Sequence, residues 1–92
     1  MNDVCAHIRI TGRVQGVGFR FFALKWAERL NLTGWVRNNP DNSVESEVEG
    51  NRSEVKEYIA QLKIGPTWGH VSNLVVTYKT YEGKYNRFDV TR

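Results

Sequence analysis

An α+β sandwich built on a mostly antiparallel sheet is predicted, with elements in the order β-α-β-β-α-β and a short strand at the end. Three features of the sequence carry that expectation. Several stretches alternate apolar and polar residues with a period of two, two others place apolar residues at helical spacing, and a turn links the second and third strands into a hairpin.

The first strand is read from Val4, Ala6, Ile8 and Ile10 alternating with Cys5, His7, Arg9 and Thr11, which gives one buried face. Gly12, Gly16 and Gly18 then break the pattern. Phe19, Phe22, Ala23, Trp26, Ala27 and Leu30 follow at i, i+3, i+4, i+7, i+8 and i+11, an apolar helical stripe. Asn31 or Gly34 can close that helix, because both tolerate positive φ. Thr33 to Asn39 reads as the second strand, expected to pair beside the first. Pro40, Asp41, Asn42 and Ser43 form the turn, with Asn42 able to adopt a left-handed conformation. Val44, Ser46 and Val48 alternate with Glu45, Glu47 and Glu49, so the third strand is expected to show an acidic face to water. Asn51 with Glu54 resembles a capping box, opening a second helix through Val55, Tyr58, Ile59 and Leu62 that Gly65 and Pro66 end. Val71 to Thr80 is β-branched and aromatic and reads as the fourth strand. Arg87 to Arg92 alternates around Phe88 and Val90 as a short edge strand. Two helices on one face of such a sheet is the ferredoxin-like arrangement.

The 92 residues are expected to make one domain, 1–92, which buries about 60–65% of its unfolded surface and so can build one core. Apolar content is 40% and charged content 25%, which argues against disorder. Cys5 is the only cysteine, so neither an internal disulfide nor a cysteine metal cluster can form. The start lacks the pattern of a signal peptide, and no run approaches the roughly 20 apolar residues that span a bilayer. A cytoplasmic protein without a membrane partner is expected. Charge is uneven: residues 1–40 hold six Lys/Arg against two Asp/Glu, and residues 41–92 hold seven against eight. Arg9, Arg13, Arg20, Arg29 and Arg37 crowd the first half, which suits an anionic partner, although composition alone favours a merely solvated basic surface.

The segment Gly12 to Arg20 joins a strand to a helix start. Its glycines let main-chain N–H groups turn inward toward an anion, the helix start adds unpaired N–H groups, and Arg20 can close a fork of donors over the same oxygens. The simpler alternative is a tight connection with a surface arginine. A Walker A loop is excluded because no Gly-Lys-Ser/Thr follows, and a dinucleotide fingerprint fails at Phe21. Asn38 ends the second strand at the depth of this loop. Its amide could donate to a phosphoryl oxygen and accept from a water, or it could simply be a turn-entry residue.

Gly12 to Arg20, followed by Gly34-Trp35-Val36-Arg37-Asn38 and by Asp41, Ser43, Val44 and Glu45, resembles the two signature segments of the acylphosphatase family. Gly65, Pro66, Val71, Phe88 and Val90 are similar to its later landmarks, so the likeness covers nearly the whole chain in order. The resemblance implies the ferredoxin-like fold and hydrolysis of the carboxyl–phosphate bond of a small-molecule acyl phosphate. It implies that Arg20 binds phosphate and Asn38 orients water, while the amides of Gln15, Gly16, Val17, Gly18 and Phe19 complete a cradle able to take a phosphate or sulfate ion. Neither metal nor cofactor is implied, and a monomer is expected. Asn42 and Gly69 depart from the family pattern, where Gly and Ala are commoner.

His7 and His70 have no carboxylate at a telling spacing and are read as non-catalytic. Trp26 is read as core, Trp35 and Trp68 as partly exposed, and Cys5 as passive. Two other functions compete. An RNA-recognition module would need aromatics on its central strands, and the third strand carries three glutamates instead, so no nucleic-acid partner is expected. A binding module that holds phosphate or acyl phosphate without turning it over would share the loop. Such a loop also heads larger carbamoyl-transfer maturation proteins, but the chain stops where they would continue, which favours a free-standing hydrolase.

Overall fold

The computed structural model describes residues 2–91. Its strands are β1 (Asp3–Arg13), β2 (Thr33–Asn38), β3 (Val44–Asn51), β4 (His70–Lys79) and β5 (Phe88–Thr91), and its helices α1 (Phe19–Arg29) and α2 (Arg52–Ile64). Of the expected terminal strand, 87–92, residue Arg92 lies outside the described residues. The five strands form one sheet in the order β4-β1-β3-β2-β5, antiparallel except for the β2–β5 pair.

This order corrects one expectation. β2 does not lie beside β1; β3 separates them, pairing Ser46 with Ile8 on one side and with Val36 on the other. The reason is the turn at 40–43, which folds β2 and β3 onto each other as neighbours, while β3 is the strand with both faces buried and so takes the centre. Asn42 takes φ 74°, so asparagine supplies the left-handed residue the turn requires.

Both helices pack on one face. Ala6, Ile8 and Ile10 of β1, Val44 and Val48 of β3 and Val36 of β2 meet Phe19, Ala23 and Ala27 of α1 and Val55, Tyr58 and Leu62 of α2, all within a few per cent of complete burial. Each large apolar side chain so buried contributes about 1.5–3 kcal/mol relative to exposure. Ser46 is the polar member of this core. Its hydroxyl donates to the Trp35 carbonyl and shares a 2.8 Å bond with the Tyr58 hydroxyl, so no polar atom is stranded there. Trp26 falls short of the core reading: it is only partly buried, its ring covered by the Arg29 guanidinium at 4.7 Å.

The helix ends follow local chemistry. At the start of α2, Asn51 Oδ1 accepts from the Ser53 N–H at 3.0 Å and from the Ser53 hydroxyl at 2.7 Å, so Ser53 rather than Glu54 completes the cap. Glu54 instead places negative charge in the first turn. α1 is closed by Asn31 at φ 57°, with the Leu32 N–H returning to the Ala27 carbonyl at 2.8 Å. Gly34 lies within β2 instead.

The acidic face of β3 differs most from expectation. Glu47 and Glu49 retain only 3% and 1% of their exposure. The segment between β4 and β5 folds back over the sheet, and its main-chain N–H groups at Glu82 and Lys84 both donate to the Glu49 carboxylate at 2.9 Å. Glu47 accepts from the Tyr85 hydroxyl, Lys79 Nζ and a His7 ring nitrogen, and Lys84 Nζ lies 3.2 Å away. Burial alone would push the Glu47 carboxyl up. The donors from Tyr85, His7, Lys79 and Lys84 overcome that and hold it far below the usual carboxylate range. Glutamates that alternate with core valines read as a solvated face only until a covering segment with matching donors is known.

Candidate functional site

The site begins where β1 ends. After Ile10 the pairing with β3 stops, and a register shift at Thr11/Gly12 lets β1 continue beside β4 as far as Arg13 before the chain runs on to α1. Between them, Gly16 (φ 74°) and Gly18 (φ 79°) adopt left-handed conformations, while Gln15 and Val17 between and before them do not. Alternating hand along successive residues turns neighbouring N–H groups to one side and makes an anion-sized concavity. A β-carbon built at Gly16 or Gly18 would meet nothing within 4 Å. Glycine is needed there for its backbone conformation, and the space in front of it is open.

Gly18 is also the residue that begins α1. It offers no side-chain cap, and no acidic residue occupies the first turn. The first helical bond is the Phe22 N–H to the Gly18 carbonyl, so the N–H groups of Phe19, Arg20 and Phe21 have no acceptor within the helix. The positive end of the helix and this run of donors meet at the glycine loop.

A cavity of about 180 Å³ opens here, lined by Val14, Gly16, Gly18, Phe19, Arg20, Phe21 and Asn38. Of the residues singled out from the sequence, Gly16, Gly18, Phe19, Arg20 and Asn38 therefore share one space. Phe19 is buried and anchors the helix start in the core, so only its main chain can serve a ligand. Gln15 and Val17 do not line the cavity; the Gln15 side chain turns the other way, toward the β2–β3 turn.

Arg20 is half-buried in the first turn of α1. Its Nη1 donates to the Thr91 carbonyl of β5 at 3.4 Å, and none of the described carboxylates forms an ion pair with it. Arg9 and Arg37 differ in this respect, paired with Asp41 and Glu45. The Arg20 guanidinium is tethered at one corner, with the rest of its fork available.

Asn38 closes β2 opposite Val44. No described residue hydrogen-bonds its carboxamide, whereas the next amide, Asn39, donates to the Ser43 hydroxyl at 2.9 Å. The turn beyond is stiffened by Asp41, whose carboxylate accepts from the Ser43 hydroxyl at 2.6 Å and the Ser43 N–H at 3.0 Å. Those bonds, with Arg9, hold the Asp41 carboxyl at about 2. Asn38 thus sits at the end of a well-held strand with its own amide uncommitted.

Two cavity-lining residues were left out of the sequence reading, buried Val14 and, at the opening, Phe21. The latter is 73% exposed, an apolar ring at the mouth of the cavity. Its place two residues beyond buried Phe19 on the helix, and so on the opposite side, was the available signal. His7, conversely, does meet carboxylates, Glu45 and Glu47, but on the sheet face away from the helices and outside the cavity. Cys5 is buried, and burial with Glu47 and Glu49 nearby pushes its thiol up to about 11, which suits an inert side chain. Trp35 donates its ring N–H to Tyr85, and Trp68 is exposed. Among the described residues no group of three or more His, Cys, Asp and Glu could hold a metal ion. Nor is any helix among the described residues long and apolar enough to cross a membrane.

Fold and cavity together define a ferredoxin-like α+β protein with a glycine-lined cleft at a helix start. The structure superposes on the crystal structure of acylphosphatase from Bacillus subtilis with a TM-score of 0.94, at 32% identity, covering 97% of this chain and 99% of that one. It matches the acylphosphatase from Coxiella burnetii at a TM-score of 0.92 and 38% identity, covering 98% and 94%. In sequence, the acylphosphatase of Syntrophotalea carbinolica is 46% identical over 90 residues, 98% of each chain. The Acylphosphatase family model matches residues 6–90. The chain belongs to the acylphosphatase family, hydrolases of acyl phosphates.

Proposed function

We propose that the chain hydrolyses its acyl phosphate by in-line attack of a water that Asn38 orients, on a phosphoryl group held by Arg20 and the main-chain donors of Gln15, Gly16, Val17, Gly18 and Phe19. The observation that carries this reading is the convergence of Arg20, the left-handed glycines and the uncommitted Asn38 amide on one cavity.

The chemistry asks little more. Water oxygen bonds to phosphorus as the phosphorus–acyl oxygen bond breaks, and the bonding pair leaves with the carboxylate. That carboxylate's conjugate acid has a pKa of about 4, so it departs unprotonated and no general acid is needed. The water's proton passes to a phosphate oxygen or to solvent. What remains is to place the nucleophile and to stabilise charge on the phosphoryl oxygens, the two contributions that dominate phosphoryl transfer. The cradle amides and the Arg20 fork supply the second. The Asn38 carboxamide can donate to a phosphoryl oxygen and accept from the water, which supplies the first. Phe21, exposed at the mouth, offers a surface to the acyl part.

The test compares leaving groups. Benzoyl phosphate is expected to be hydrolysed far faster than an alkyl phosphate, because an alkoxide cannot leave without a proton and the cavity holds no acid to give it one. Comparable rates on the two substrates would contradict the mechanism.

A further inference from the structure

The cradle and the strand bearing Asn38 come from separate parts of the chain, and one side chain joins them. Gln15 lies in the glycine loop. Its Nε2 donates to the Asn39 carbonyl and to the Ser43 carbonyl, both at 2.8 Å. Both acceptors are carbonyls, so only the NH₂ end of the amide can face them, and each of its hydrogens has its own partner. The two carbonyls belong to the residues that close the β2–β3 turn, where the Asn39 N–H also bonds to the Ser43 carbonyl at 2.9 Å. The first of them is next in the chain to Asn38. We infer that Gln15 is a positioning residue for the hydrolysis: its side-chain amide sets the distance between the phosphoryl cradle and the Asn38 carboxamide, and hence where the attacking water sits.

This rests on the water-orienting reading of Asn38, and it separates two consequences. A phosphate ion is held chiefly by the cradle amides and Arg20, whereas turnover needs these and Asn38 in fixed register. Misplacement of a reacting group by about 1 Å can cost on the order of a hundredfold in rate.

Gln15→Met keeps the length of the side chain and the main-chain amide, and removes the carboxamide whose two donors make the bonds to Asn39 and Ser43. Steady-state hydrolysis of benzoyl phosphate is expected to show kcat lowered roughly 10- to 100-fold, with the inhibition constant of inorganic phosphate changed less than about threefold. Gln15→Glu, which has the same reach but no donor when ionised, is expected to be at least as impaired, and a thermal melt checks that both variants fold. Unchanged kcat in the folded Met variant overturns the proposal. So does a rise in the phosphate inhibition constant that matches the loss of kcat, because Gln15 would then serve the cradle itself. The double variant with Asn38→Ala tells the two readings apart. Gln15→Met should cost little once Asn38 is gone, and an equal cost in both backgrounds refutes the coupling. Full activity of Asn38→Ala alone refutes the water-orienting reading, and this proposal falls with it. Where Asn38→Ala leaves no measurable turnover, the split between kcat and phosphate inhibition decides.

Discussion

Replacing Arg20 by lysine keeps the positive charge and removes the planar fork, so it isolates geometry from charge. In the structure Nη1 is tethered to the Thr91 carbonyl at 3.4 Å, which leaves the remaining donors of the guanidinium to face the cavity. A lysine at this position carries one ammonium that cannot hold the tether and two phosphoryl oxygens in a fixed plane together. The substitution therefore forfeits at least one charge-assisted hydrogen bond, about 1.5–3 kcal/mol. At about 1.4 kcal/mol per decade, that is a drop in kcat/KM of roughly 10- to 150-fold. Because the lost bond grips phosphate before and during the reaction, the inhibition constant of inorganic phosphate should rise as well. The assay is the ultraviolet decay of benzoyl phosphate, with thermal unfolding as a control on folding. Activity within about twofold of the parent would refute the assignment of Arg20 and the fork argument with it.

Two further outcomes concern the buried glutamates. Glu49→Ala removes the acceptor of two main-chain N–H groups, at Glu82 and Lys84. Urea unfolding should show a loss of about 2–4 kcal/mol, and hydrogen exchange at those two amides should quicken; protection equal to the parent's would contradict the clamp. The Glu47 carboxyl is held below its ordinary value in the folded chain, so its contribution is present above the unfolded value of about 4.3 and is lost as pH falls through the lower folded one. The acid limb of a melting-temperature profile should therefore be shallower in Glu47→Gln than in the parent, and identical slopes would contradict that linkage.

How much of this was legible in the sequence depended on whether the cause was local. The alternation through Val4, Ala6, Ile8 and Ile10 set the inner face of β1, and the stripe through Phe19, Ala23 and Ala27 set the buried side of α1, because each pattern expresses one element meeting one core. Asn51 and Asn31 end their elements through hydrogen bonds a few residues long, again readable in place. Arg20 and Asn38 line one cavity although β1 and β2 are not neighbours, because both strands run antiparallel to β3 and so finish at the same end of the sheet. The larger misreadings were non-local, whereas Trp26 beneath Arg29 and Ser53 in place of Glu54 at the cap were local ones. Glu49 is hydrogen-bonded by N–H groups more than thirty residues away, in a segment without periodicity, so nothing near it announced its burial. A count of neighbours was the available hint, since Lys79, Lys84 and His7 had to find acidic partners somewhere. The central place of β3 followed from its two buried faces, one of which was misjudged. The Gln15 side chain was equally invisible, because its partners lie 24 and 28 residues on.

Location of a bound oxyanion speaks to the whole arrangement at once. Crystals soaked with orthovanadate are expected to hold it against the main-chain N–H groups of 15–19 under the Arg20 guanidinium, with its apical oxygen within hydrogen-bonding distance of the Asn38 carboxamide. Vanadate seated elsewhere on the molecule, with that cleft holding only solvent, would contradict it.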